Sequence, residues 1–173
     1  MPSTVAQQLS GGTGSVLRDP YGRSVLTLEE DGAAVARSAN YLVAVAHDRP
    51  EGRYEAGAAG LTWREAAPYS TVRFDVAVAD VVDGRFVPGL TIYLSAQRDG
   101  RTYAAAQCHF RWHPILHRYA VEMRLVPGRY DLTVRIAAPG FARHDRTAGR
   151  RYADPVELRF PDVLVHRTRD APL

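Results

Sequence analysis

The chain has 173 residues, 46% of them hydrophobic, which is one domain's length with enough apolar surface to bury a core. Its formal net charge of +3 comes from basic and acidic residues interspersed along the whole length, with no basic patch or tail, and this argues against nucleic acid as a partner. Cys108 is the single cysteine, so an intramolecular disulfide and any cysteine-based zinc or iron–sulfur cage are excluded.

Residues 1–23, which include Gly11-Gly12-Thr13-Gly14-Ser15, read as a flexible lead-in to a single β-sandwich domain over residues 24–173. The start, Met1-Pro2-Ser3-Thr4-Val5, lacks the basic and apolar regions of a secretory signal, so as written the chain is expected to be cytosolic or a processed form. Apolar residues then recur at every second position. Leu26 and Leu28 open the series, and Tyr41 to Ala46 adds a strand far shorter than the roughly 20 residues of a membrane helix, so no direct membrane insertion is expected. The segment Leu61 to Ala67 carries weak helical character. Alternation returns in Val72, Phe74, Val76 and Val78, in Leu90, Ile92 and Leu94, in Tyr119, Val121, Met123 and Leu125, in Tyr130, Leu132, Val134 and Ile136, and in Val156, Leu158 and Phe160. Asp83-Gly84 and Asp99-Gly100 have hairpin-turn chemistry, and Pro127-Gly128 links the strands on either side of it. The pattern predicts an all-β chain, an antiparallel β-sandwich of about seven to nine strands.

Three of the six histidines fall in one short stretch, His109-Phe110-Arg111-Trp112-His113-Pro114-Ile115-Leu116-His117. Neutral imidazole ligates copper, iron, nickel or zinc, and a loop between strands can turn several imidazoles inward where one regular strand cannot. By parity His117 extends the inward face of Tyr119, Val121 and Met123. The loop that carries it and the loop Phe141–Arg146, which carries His144, lie at the same end of the sheet, so the two can meet. His109, His113, His117 and His144 are therefore the candidate metal ligands, and ordinary polar loop histidines are the competing reading. His47 and His166 stand apart and read as surface residues.

Other chemistries lack their signatures. There is no Gly-x-Ser-x-Gly elbow and no Walker A loop, and Cys108 falls mid-strand on a face expected to be buried. Arg150-Arg151 reads as a solvated loop pair near Asp145 and Asp154. All 22 basic residues are arginine, which reflects either a GC-rich coding bias or selection for forked guanidinium contacts. No enzyme activity is expected.

The succession Val87-Pro88-Gly89-Leu90-Thr91, Trp112-His113-Pro114-Ile115-Leu116-His117-Arg118-Tyr119, Gly128-Arg129-Tyr130-Asp131-Leu132, Pro139, Arg143-His144-Asp145 and Pro155-Val156 resembles the Fe2+ transport protein family, over residues 70 to 165. The resemblance implies an immunoglobulin-like fold, a periplasmic homodimer, and a membrane iron permease as partner. It also implies a bound transition metal (copper, iron or manganese) held by a Glu, a Met and two His, with His144 as one of those two. This chain departs from the pattern at two places. Thr71-Val72-Arg73 stands where the family has His-x-Glu, and Arg118 stands where it has a His directly before the Tyr. A guanidinium has no lone pair to give a metal and repels one. Two readings follow: a non-catalytic metal-binding protein with a shifted site built from His113, His117 and His144, with His109 as a fourth donor, or a metal-free interaction module in which Arg73 and Arg118 contact a protein or an anionic group.

Overall fold

The computed structural model describes residues 32–113, 117–142 and 146–166, together with the short strand Thr4–Val5. The regular elements there are all strands: β1 (Thr4–Val5), β2 (Ala34–Ser38), β3 (Tyr41–Asp48), β4 (Arg53–Gly57), β5 (Gly60–Arg64), β6 (Val72–Asp80), β7 (Ile92–Arg98), β8 (Arg101–Arg111), β9 (Arg118–Met123), β10 (Gly128–Ile136) and β11 (Val156–Val165). Nine of them form one continuous ladder in the order β1-β11-β10-β7-β8-β9-β6-β3-β2, antiparallel except where β1 runs parallel to β11, and β4-β5 forms a separate hairpin.

The ladder folds over on itself at β8. Its first part pairs with β7, from Arg98↔Arg101 to Ile92↔Cys108, and its last three residues pair with β9. A strand shared in this way turns the corner between two packed sheets. The edge strand β2 and β11, next to the short edge strand β1, come together on the far side, so the sandwich is nearly closed into a barrel. Alternation places Phe74, Val76 and Val78 of β6 against Ile92 and Leu94 of β7, Leu132 and Val134 of β10, and Phe160 of β11, all fully or almost fully buried. Each such side chain contributes about 1.5–3 kcal/mol by leaving water.

The strands expected within the described residues are present, some with shifted ends. The pattern begun at Leu90 becomes strand only at Ile92, and β11 runs past Phe160 to Val165. The turn at Asp99-Gly100 has both residues at positive φ, 52° and 72°, as a type I′ hairpin demands. One expectation is corrected. The segment given helical character, Leu61 to Ala67, contains β5, because pairing with β4 from Arg53↔Arg64 to Gly57↔Gly60 outweighs the helix propensity of its alanines and leucine. The strand expected at Leu26 and Leu28 and most of the lead-in lie outside the described residues.

Candidate functional site

The most densely charged part of the described molecule is the outer face of the sheet formed by β3, β6 and β9. Arg73 and Asp75 occupy alternate positions of β6 and so point the same way. The register Arg73↔Glu122 and Asp75↔Ala120 puts Arg118, two residues before Ala120, on that face as well, and Asp48 of β3 lies opposite Arg73. The chain leaving β3 then brings Glu51 over both arginines.

Arg73 donates from Nε to both oxygens of Asp75 at 3.1 Å and from Nη2 to Oδ2 at 2.9 Å. Its Nη1 lies 2.7 Å from Glu51 Oε2, and its Nη2 lies 3.6 Å from Asp48. Arg118 grips the same two carboxylates, with Nη2 2.9 Å from Glu51 Oε1 and Nε 3.0 Å from Asp75 Oδ1. The Arg118 Nε hydrogen is not aimed at Asp75, so that last contact is an ion pair and not a hydrogen bond. Both arginines and Asp75 are buried or nearly so, whereas Glu51 is half exposed.

Burial alone works against each of these charges. It lifts the Asp75 carboxyl above its usual range even though Arg73 and Arg118 pull it down. For Arg73 burial is outweighed, since Asp75, Glu51 and Asp48 together raise its proton affinity. The two shifts do not mirror each other, because Asp75 is the more deeply placed partner. The contact geometry decides its state: two guanidinium groups at ion-pair distance hold it as the carboxylate at neutral pH. Close by, half-buried Arg111 has a lowered proton affinity, through burial and through its neighbour Arg53.

The knot bears directly on metal binding at the positions where the resemblance places ligands. Arg73 and Arg118 offer only donors, and the carboxylates around them are already engaged. The family's usual ligand set therefore does not fit this chain at Arg73 and Arg118.

Of the candidate histidines, His109 and His117 lie on opposite faces of the sheet. His109 pairs in register with Ala120 and so shares the outer face with Arg118, while Phe110 pairs with Tyr119 on the inner face. His117, two residues before Tyr119, is on the inner side, its ring 5.7 Å from Phe86 and 6.1 Å from Phe110. A sheet thus separates His109 from His117. His113 is exposed just beyond the end of β8, and His144 lies outside the described residues. Among the described residues no three His, Cys, Asp or Glu side chains come close enough to hold a metal ion.

Cys108 is in the core, opposite Ile92, where burial pushes its thiol up to about 12. Sequence reasoning placed Arg151 in a solvated loop, but it reaches Asp80 at the end of β6, which also accepts from the Tyr152 hydroxyl. Against the effect of burial, Tyr152, the Val82 amide and Arg151 hold the Asp80 carboxyl below its usual range. It also missed the pairing of His47 with His166, whose rings stack at 6.0 Å; a separation of more than a hundred residues left no local signal.

Together these features define an immunoglobulin-like β-sandwich with an ion-paired knot on one sheet. Solved structures share this fold. A copper-bound variant of Campylobacter jejuni P19 aligns with a TM-score of 0.65 at 16% identity, over 79% of this chain and 96% of that one. A copper-bound variant of FetP from uropathogenic Escherichia coli strain F11 aligns with a TM-score of 0.59 at 18% identity, over 76% and 95%. The as-isolated FetP, expressed recombinantly in the periplasm of Escherichia coli, gives 0.58 at 19% identity, over 76% and 94%. No protein-family model and no curated protein sequence matches the chain.

Proposed function

We propose that this chain is a non-catalytic, extracytoplasmic metal-binding protein of the iron-uptake kind, acting beside a membrane iron permease. Its transition metal (copper, iron or manganese) is held by histidines at the β8–β9 end of the sandwich. The observation that carries this reading is agreement in fold along 96% and 95% of two copper-bound chains. The ordered motifs of the sequence point to the same family. Because Arg73 and Arg118 fill two ligand positions, the donors fall to His113, His117 and His144, with His109 turned to the other face of its sheet. Imidazole donors suit copper and iron alike.

The arginine knot favours a second reading on its own account. A sandwich that keeps the fold and replaces ligands with guanidinium groups is a metal-free interaction module, and Arg73 and Arg118 then serve structure. Metal content decides between them, measured by mass spectrometry on untagged protein purified without chelators. We expect about one equivalent of metal per chain, lost in the His113→Ala/His117→Ala/His144→Ala variant. No metal after incubation with each ion in turn overturns the first reading and leaves the second.

A further inference from the structure

The β4–β5 hairpin is amphipathic in the wrong sense for a monomer. Its register pairs Tyr54 with Trp63 and Ala56 with Leu61, so these four side chains share one face, while Arg53, Glu55, Thr62 and Arg64 share the other. The charged face is tied down: Arg53 reaches Glu55 at 2.6 Å and Glu122 of β9 at 3.7 Å. The apolar face is turned to water, with Tyr54 67%, Leu61 71% and Trp63 48% exposed. The two aromatic rings meet edge to face at 5.1 Å, so the patch is one contiguous surface. The sequence accommodates it at Gly52, where any Cβ would collide with the Trp63 ring at 2.3 Å.

We infer that this hairpin face docks on the interfacial region of a lipid bilayer. Three features select that occupant. Tyr, Trp and Leu on one surface is the composition that settles at a membrane–water boundary, where an aromatic body leaves water and its polar tip stays wet. Trp63 is ready for this, since its indole N–H already donates to Glu65 at 2.6 Å and no donor is stranded when the ring is covered. Second, the patch offers roughly 400 Å2, about half of the roughly 800 Å2 per side of a stable protein pair. A second copy bound here alone would be held weakly, whereas a lipid surface needs no matching shape. Third, charge does not oppose the docking: Arg53, Glu55, Arg64 and Glu65 sum to zero, and the two arginines lie on the face turned away from the patch. The outer edges of β4 and β5 are unpaired among the described residues, so the hairpin belongs among hydrated headgroups and not in the hydrocarbon.

The docking is independent of whether metal binds, and its test does not involve metal. The full chain carrying Trp112→Phe, so that Trp63 is the remaining tryptophan, is mixed with vesicles of phosphatidylcholine and of phosphatidylcholine with phosphatidylglycerol. We expect a blue shift of Trp63 emission with both. Sedimentation should show the partition coefficient falling at least about tenfold in Tyr54→Ser/Leu61→Ser/Trp63→Ser, made in the chain with both tryptophans otherwise native. Leu61→Ser alone is the milder variant should the triple one fold poorly. Binding that survives the serine substitutions overturns the proposal. So does a lack of partitioning, whether the chain is then a monomer or a lipid-free dimer that the substitutions dissolve, the latter assigning this face to a second copy.

Discussion

Asp75 is the residue on which the charged knot turns, because it is the deepest of the group and both arginines lean on it. Replacing it with Asn removes the charge and keeps the size. Arg73 and Arg118 then share only Glu51, which is half exposed and screened by water, and Arg73 also retains the longer contact to Asp48. A buried ion pair broken on one side leaves an uncompensated charge, at a cost of about 3–5 kcal/mol. Asp75→Asn should therefore lower the unfolding free energy, measured by chemical denaturation at neutral pH, by that amount. Exchanging Arg73, Asp75 and Arg118 together for apolar residues of similar volume should cost far less. Equal losses in the two variants would show that the knot acts by packing and not by charge. The sequence exposed half of this knot. Arg73 and Arg118 stood out because they replace expected ligands, but Glu51 and Asp75 did not, since it takes the β6–β9 register and the chain leaving β3 to bring them together.

At the level of elements, the motifs that carry the family resemblance have structural work to do. The Tyr119 hydroxyl donates to the Val87 carbonyl at 3.0 Å and accepts from the Leu90 amide at 3.0 Å, clasping the turn through Gly89, whose φ is +69°. Val87-Pro88-Gly89-Leu90 and the Tyr of Trp112–Tyr119 are thus two halves of one clasp between the loop before β7 and strand β9. Tyr130 does the same for its own turn, donating to the Val126 carbonyl at 2.8 Å. The Thr71 hydroxyl donates to the Leu125 carbonyl and accepts from the Leu125 amide, latching the start of β6 to the chain just past β9. Tyr119→Phe should cost about 1–3 kcal/mol, because two buried backbone groups lose their partner while the ring still fills its space. Chemical denaturation measures it, and a loss well under 1 kcal/mol would mean that water replaces the hydroxyl. The strands with clean alternation, β6, β7, β9, β10 and β11, were legible from the sequence because each has one face in the core. β8 was legible only around Cys108, read mid-strand on a buried face, since Tyr103-Ala104-Ala105-Ala106-Gln107 runs mostly exposed and carries no period. β5 was misread for a related reason: a hairpin that stands off the core has no buried face to write a pattern.

The two sheets of the whole molecule are joined covalently at β8 and meet again at the opposite side, where His47 at the end of β3 faces His166 just beyond β11. The His166 amide donates to His47 Nε2 at 3.3 Å, which requires that nitrogen to be unprotonated. Burial, and then the neighbouring His166, hold the His47 imidazole below its usual value, and Asp48 opposes them without prevailing. The sign follows from linkage. The folded protein takes up this proton less readily than the unfolded chain, so the contribution of His47 to stability is fully present above about pH 6.5, the value in the unfolded chain. It is lost as pH falls from there to the lower folded value, and is flat below it. His47→Gln keeps an acceptor at the site and removes the titration. We expect the thermal midpoint of the native chain to fall more steeply than that of His47→Gln between about pH 7 and about pH 5. Hydrogen exchange at the end of β11 should quicken over the same window in the native chain alone, because the bond being lost links the end of that strand to the opposite sheet. Parallel stability curves would mean that the closure of the sandwich does not depend on this imidazole, and that the packing of β11 against β2 suffices to hold the two edges together.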